Sequence, residues 1–208
     1  WRHALESGVS VPLAPQLLFP ELGEDGVAFL FSDAAREDGT GYGGFSLVRR
    51  AGRTELLFLA ERWESDVLLA LQHNTLSMPA GEGIGVVVLA DAVLRELGGV
   101  THLIAFSDSS PVVAMLNSDN SGSPQLNFLM KWLIEAHPTV QTLGIHQRGV
   151  RNTAADDLSR GRAERVLEEA RASGAHCLAL APSPDLDWLT QAASRMPQRS
   201  APHPSQAK

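Results

Sequence analysis

Short apolar runs that end in an acid alternate with stretches of helical period along this chain. VAFLFSD (27–33) is an apolar run closed by an aspartate, the pattern of a strand buried on both faces. DGTGYGG (38–44) is a turn signal leading into FSLVRR, which predicts a second strand. After Ala51-Gly52-Arg53, ELLFLAER (55–62) predicts a third, and such short connections favour an antiparallel meander. Residues 63–81 fit no single period: WESDVLLALQHN reads as a short helix or an insertion. From Glu82 onward Val86, Leu89, Val93 and Leu97 recur at helical spacing, and Gly98-Gly99 supplies the stop. THLIAFSD (101–108) repeats the buried strand with a terminal acid. SSPVVAMLNS (109–118) predicts a helix with Ser109 or Ser110 as its cap and Pro111 in its first turn. A polar loop follows, then a strong helix over 125–136, with Trp132 expected in the core. TVQTLGIHQ (139–147) alternates like a strand, and residues 152–173 read as one long amphipathic helix.

That order predicts an α/β domain over residues 25–182. It should hold a five-stranded mixed sheet, a three-strand antiparallel meander plus parallel strands, with helices on both faces. Residues 1–24, with Pro12, Pro15 and Pro20, read as an arm or the tail of a preceding domain. Residues 183–208 read as a Pro-rich, disordered tail.

A hydrophobic share of 44% against 20% charged residues excludes wholesale disorder. The single cysteine, Cys177, excludes a disulfide scaffold and a Cys-rich zinc site, and suits a reducing, intracellular compartment, cytoplasm or nucleus. No apolar stretch is long enough to cross a membrane, and no secretory signal is visible. The absence of an initiator Met suggests a piece of a longer polypeptide. A formal net charge of −7 argues against holding nucleic acid by overall electrostatics.

Four carboxylates change that picture. Asp33 and Asp108 close two strands with the same Phe-Ser-Asp ending; if the strands are parallel neighbours, both acids emerge at the carboxyl edge of the sheet, where open α/β sheets take ligands. Glu82 shares a helical stripe with Val86, Leu89 and Val93, and a charge there must be paired, protonated or bound to a cation. Asp156 begins the buried side of the last helix. Each acid alone is more often a strand-end turn, a cap or a dipole-favouring surface residue. Together they form a site of hard oxygen donors that suits Mg²⁺ or Mn²⁺ rather than Zn²⁺. Two such ions ~3.5–4 Å apart can activate water and stabilise the leaving oxygen of a phosphodiester.

The segment from His146 through Gly149, Asn152, Ala155, Asp156 and Leu158 to Ser159-Arg160 resembles the ribonuclease H signature carried by retroelement reverse transcriptases. Ser32-Asp33-Ala34-Ala35 followed by Gly41-Tyr42-Gly43-Gly44-Phe45 is similar to that family's first strand and hairpin. Ser107-Asp108-Ser109-Ser110 is similar to its third-acid strand and helix, and Glu82 falls where a helix-borne glutamate is expected. Arg148 stands where the retroelement version usually has proline. The resemblance, over about residues 27–165, implies a ribonuclease H-like fold and hydrolysis of the RNA strand of an RNA–DNA hybrid. It implies two Mg²⁺ ions (Mn²⁺ as a substitute) held by Asp33, Glu82, Asp108 and Asp156, and His146 assisting proton transfer or product release. It further implies substrate contacts from Ser109, Arg148, Arg151 and Asn152, and neighbouring reverse transcriptase domains as partners, with no membrane. Asn152 reads first as a helix cap. Arg148, Arg151, Arg160, Arg162 and Arg165 either face phosphates or, for Arg162 and Arg165, pair with Glu168 and Glu169 on a solvated face. Two other readings stand beside this one: a catalytically silent module of the same fold that supports a polymerase or binds nucleic acid, and a DNA nuclease such as a resolvase or integrase.

Overall fold

The computed structural model describes residues 26–118 and 121–183. The expected arm over 1–24 and residues 184–208 of the expected tail lie outside the described residues. Six strands form one mixed sheet: β1 (Val27–Ala34), β2 (Gly41–Arg50), β3 (Arg53–Arg62), β4 (His102–Ser107), β5 (Gln141–His146) and β6 (His176–Ala179). Their spatial order is β5-β4-β1-β2-β3-β6. β1, β2 and β3 are the antiparallel meander expected from their tight turns. β4 lies parallel to β1, and β5 parallel to β4. The expected architecture, a mixed sheet with helices on both faces, is thus the one observed, with one strand more. β6 adds to the far edge, parallel to β3; it is four residues long and partly open to solvent, so it lacks the apolar run that marks the others.

One face carries α2 (Met78–Leu97), backed by α3 (Ser110–Asn117) and α4 (Pro124–Ala136). Ala28, Leu30, Leu59, Leu103 and Ala105 from the sheet meet Ile84, Val87, Val88 and Leu129 there. The short helix α1 (Ser65–Gln72) adds Val67 and Leu71 to the same core, so the ambiguous stretch 63–81 is helix, loop and the first turn of α2. α2 begins four residues before Glu82: Ser77 Oγ accepts from the Ala80 amide at 3.3 Å and Pro79 sits in the first turn. Gly81, Gly83 and Gly85 hid that start, because glycine disfavours a helix by about 1 kcal/mol per residue. Packing decides the matter. A Cβ on Gly83 would stand 2.8 Å from Leu126 and one on Gly85 3.3 Å from Tyr42, so these glycines let α2 lie close to α4 and the sheet.

The other face carries α5 (Thr153–Ser159) and α6 (Ala163–Ala172), whose Ala155, Leu158, Val166 and Ala170 cover Phe45, Leu47 and Leu56. The single helix expected over 152–173 is therefore two. Gly161, at φ +72°, turns the chain in the left-handed region that glycine adopts without steric cost. On this face, toward β4, an aromatic ladder crosses three strands. Phe45 of β2 stacks on Phe31 of β1 at 4.9 Å, and Phe31 on Phe106 of β4 at 4.7 Å. Phe31 and Phe106 are direct partners in the parallel register.

Candidate active site

Asp33 lies two residues beyond Phe31, and Asp108 two beyond Phe106, so the register of β1 and β4 brings both acids to the carboxyl edge of the sheet. The turn after Asp33 is held by Trp63, whose indole donates to the Ala35 carbonyl at 2.6 Å, and by the Ala35 amide on Gly41 O at 2.8 Å. Glu82 approaches from α2 and Asp156 from α5, one from each layer of helices. A cleft of about 160 Å³ opens beside Asp156, lined by Asp33, Asp108, Gly149, Asn152, Thr153 and Asp156, while Glu82 lies outside the lining but near enough to feel the charges of Asp108 and Asp33. The four acids named from sequence are thus brought to one end of the sheet.

Their proton affinities reflect burial first and the neighbouring charges second. Burial pushes Asp33 from 3.8 up to about 6; the Ser159 hydroxyl opposes this, the charges of Asp108 and Asp156 add to it, and Arg160 counters them. Burial likewise pushes Glu82 from 4.5 up to about 7, with Asp108 and Asp33 adding to the rise. The Ser109 hydroxyl tempers that rise from nearby, yet its buried Oγ completes no hydrogen bond of its own among the described residues. A carboxylate set that resists full ionisation, built from hard oxygen donors alone, has the chemistry that divalent cations relieve. As placed, no three acid, imidazole or thiol side chains among the described residues stand ready to hold one ion.

The carboxyl-terminal motif is explained residue by residue. His146 ends β5, and its exposed ring meets the Asp108 carbonyl through Nε2 at 3.1 Å. A carbonyl only accepts, so Nε2 is the donor in this contact. Gly149 opens a 3₁₀ turn (Gly149–Arg151), where a Cβ would stand 2.9 Å from Asp108 Oδ2. A methyl group here would make the Asp108 carboxylate swing aside. Arg148 and Arg151 flank that turn, both exposed.

Asn152 occupies the cap position of α5 but makes no side-chain cap bond. Instead its Nδ2 donates to Ser32 O at 2.8 Å, pinning α5 to β1, while its buried Oδ1 has no partner among the described residues. The helix-cap expectation is not met, since the side chain ties α5 to β1 instead. Leu158 packs in the core, and Gly43 lies beneath it so closely that a Cβ would be 2.6 Å from the Leu158 carbonyl carbon. Ser159 donates to Asp33 Oδ2 at 2.8 Å.

The arginines differ from the sequence expectation. Arg160 Nε meets Asp156 Oδ1 at 2.6 Å, and Arg162 Nη2 meets Asp156 Oδ2 at 2.9 Å. Arg160 also reaches Glu37 at 3.3 Å, and Arg162 reaches Asp157 at 2.6 Å. Arg165 keeps the predicted pair with Glu169 at 3.4 Å and adds Asp157 at 3.3 Å. Asp157, only 5% exposed, is the more buried of the two neighbouring acids. Sequence reasoning missed Ser159, Glu37 and Asp157 as neighbours of the site. The signal available for Arg162 was Gly161, which leaves it at the cap position of α6 rather than within the helix, whereas Arg165 lies inside α6 and keeps its helical spacing.

A comparison with protein families finds no match, and no curated protein matches either. Among solved structures the chain is similar to the N-terminal ribonuclease H domain of Rv2228c from Mycobacterium tuberculosis, solved as a fusion with maltose-binding protein. The identity there is 15% and the TM-score 0.38, over 69% of this chain and 98% of that one. It is also similar to ribonuclease H1 from the halophilic archaeon Halobacterium salinarum, at 13% identity and a TM-score of 0.43, over 67% of this chain and 98% of that one. Strand order, the parallel placing of β4 and β5 beside the meander, and helices on both faces give this chain a ribonuclease H-like fold. No helix among the described residues is long and apolar enough to cross a membrane.

Proposed function

We propose that the chain is a metal-dependent endonuclease that hydrolyses the RNA strand of RNA–DNA hybrids. The observation that carries this reading is the convergence of Asp33, Glu82, Asp108 and Asp156, from two strands and both helical layers, with two of the acids pushed up into the neutral range. Two Mg²⁺ ions, or Mn²⁺ in their place, would supply water activation and stabilisation of the departing 3′ oxygen. Asp33, Asp108 and Asp156 would hold one and Asp33 with Glu82 the other. Ser159 keeps Asp33 oriented, and Gly149 keeps the backbone tight against Asp108. His146, with Nε2 committed to the Asp108 carbonyl, has Nδ1 to take up or give a proton beside the cleft. Ser109 Oγ and Asn152 Oδ1 are the buried polar atoms offered to substrate, and Arg148 and Arg151 are the exposed charges offered to phosphates. With a net charge of −7, independent grip on nucleic acid is weak, so adjoining reverse transcriptase domains of a longer retroelement chain complete the binding surface.

The test is cleavage of a labelled hybrid by the purified chain with Mg²⁺ or Mn²⁺. The RNA strand should be nicked, duplex DNA spared, and Asp108→Asn inactive. Equal cutting of hybrid and duplex DNA would favour a DNA nuclease. One observation favours the silent module instead: both oxygens of Asp156 are engaged by guanidinium groups. Hybrid binding without cleavage, unchanged in Asp108→Asn, would establish that reading.

A further inference from the structure

We propose that Arg160 and Arg162 form a guanidinium latch on Asp156, holding this carboxylate in the metal-free protein and surrendering it when a divalent cation binds. The inference rests on the nuclease reading above and deepens it, by assigning the control of metal affinity to two residues that are not themselves metal ligands. Arg160 Nε and Arg162 Nη2 each take one oxygen of Asp156, at 2.6 and 2.9 Å. The fold makes this double grip possible. In an unbroken helix Arg160 would follow Asp156 by about 40° around the axis, but Arg162 would lie about 240° away. The turn at Gly161 ends α5 and swings Arg162 back to the same carboxylate.

Each arginine also holds a second acid. Arg160 Nη1 reaches Glu37, in the exposed turn between β1 and β2, at 3.3 Å. Arg162 Nε reaches Asp157 Oδ1 at 2.6 Å. Neither guanidinium is stranded when Asp156 leaves, because each retains a partner it already touches. The switch is therefore an exchange of neighbours rather than the exposure of a buried charge. A compact divalent cation can outbid two diffuse monovalent groups for Asp156, yet it must bind against their repulsion. Once released, both arginines stand beside the cleft with donor forks suited to phosphate oxygens. Cation loading and engagement of a phosphodiester backbone then favour one another.

Mn²⁺ binding to the full 208-residue chain, followed by titration calorimetry without nucleic acid, tests the latch. Asp108→Asn serves as the control that places the ions at this site. A unit positive charge ~5 Å from a divalent ion in a half-exposed site lowers its affinity several-fold, so Arg160→Gln should bind Mn²⁺ roughly 5- to 20-fold more tightly than the native chain. Glu37→Gln removes the outer partner, throws Arg160 wholly onto Asp156 and should weaken binding by roughly 2- to 3-fold. In the Arg160→Gln background the Glu37→Gln change should lose most of its effect, which a general loss of negative charge would not do. Equal or weaker binding by Arg160→Gln overturns the latch. Should Arg160→Gln fail to fold, unchanged affinity in the surface variant Glu37→Gln overturns it equally. No Mn²⁺ binding by the native chain, or binding that persists in Asp108→Asn, instead overturns the metal-dependent nuclease reading on which the latch rests.

Discussion

Replacing Asp33 by Asn should make the metal-free protein more stable at neutral and alkaline pH. Asp33 is held at about 6 in the folded chain against 3.8 as its ordinary value, mainly by burial. Between those values folding takes up a proton. The group's contribution is therefore fully present below pH 3.8 and is lost as pH rises through about 6, the reverse of a salt-bridged carboxylate. Above pH 7 the displacement amounts to about 3 kcal/mol against the folded state, and water relaxing around the partly open site brings the expectation to about 2 kcal/mol. Asn removes the charge and keeps an oxygen for the Ser159 hydroxyl, which now donates to Asp33 Oδ2 at 2.8 Å. In EDTA at pH 8, Asp33→Asn should raise the urea midpoint by about 1 M and the thermal midpoint by about 4–8 °C. At pH 4 the two proteins should nearly coincide. Millimolar Mg²⁺ should narrow or invert the difference, because only the native site gains from the ion. Equal stability at pH 8, or a native protein more stable than Asp33→Asn in EDTA, would refute the claim that the acids repel one another in a desolvated cleft.

Two other expectations follow from the same geometry. Gly149→Ala places a methyl 2.9 Å from Asp108 Oδ2, so the carboxylate or the turn must move; hybrid cleavage should fall at least ~10-fold, with urea stability changed by no more than about 1–2 kcal/mol. Because Asp33 and Glu82 sit at about 6 and about 7, cation loading at pH 6 should release protons and tighten steeply up to pH 8; calorimetry in buffers of different ionisation heat reads the proton count, and a pH-independent affinity would contradict the burial of these acids.

What the sequence disclosed depended on how local the determining forces are. The strands ending at Asp33 and Asp108 were legible because apolar runs bounded by turns state their own burial. The placing of the two acids side by side followed from a parallel pairing that the order of elements suggests. The start of α2 was not legible: three glycines contradict a helix locally, and only the close approach of Leu71, Leu126 and Tyr42 explains them. β6 escaped notice because HCLA is too short to show a period and is specified by pairing with β3. The break at Gly161 was written in the chain but outweighed by the amphipathic pattern on either side. From that oversight came the mistaken partners of Arg162, since spacing along an ideal helix cannot foresee a side chain beyond the break turning back to Asp156.

The stacked rings of Phe45, Phe31 and Phe106 act as a keyed joint under the cleft. Sliding β1 by one position against β4 would unseat the rings and turn one aspartate toward the opposite side of the sheet. The acids can therefore keep their level without any cross-link of their own, and the tolerance of the site to changes nearby is set by an aromatic course laid one storey below it.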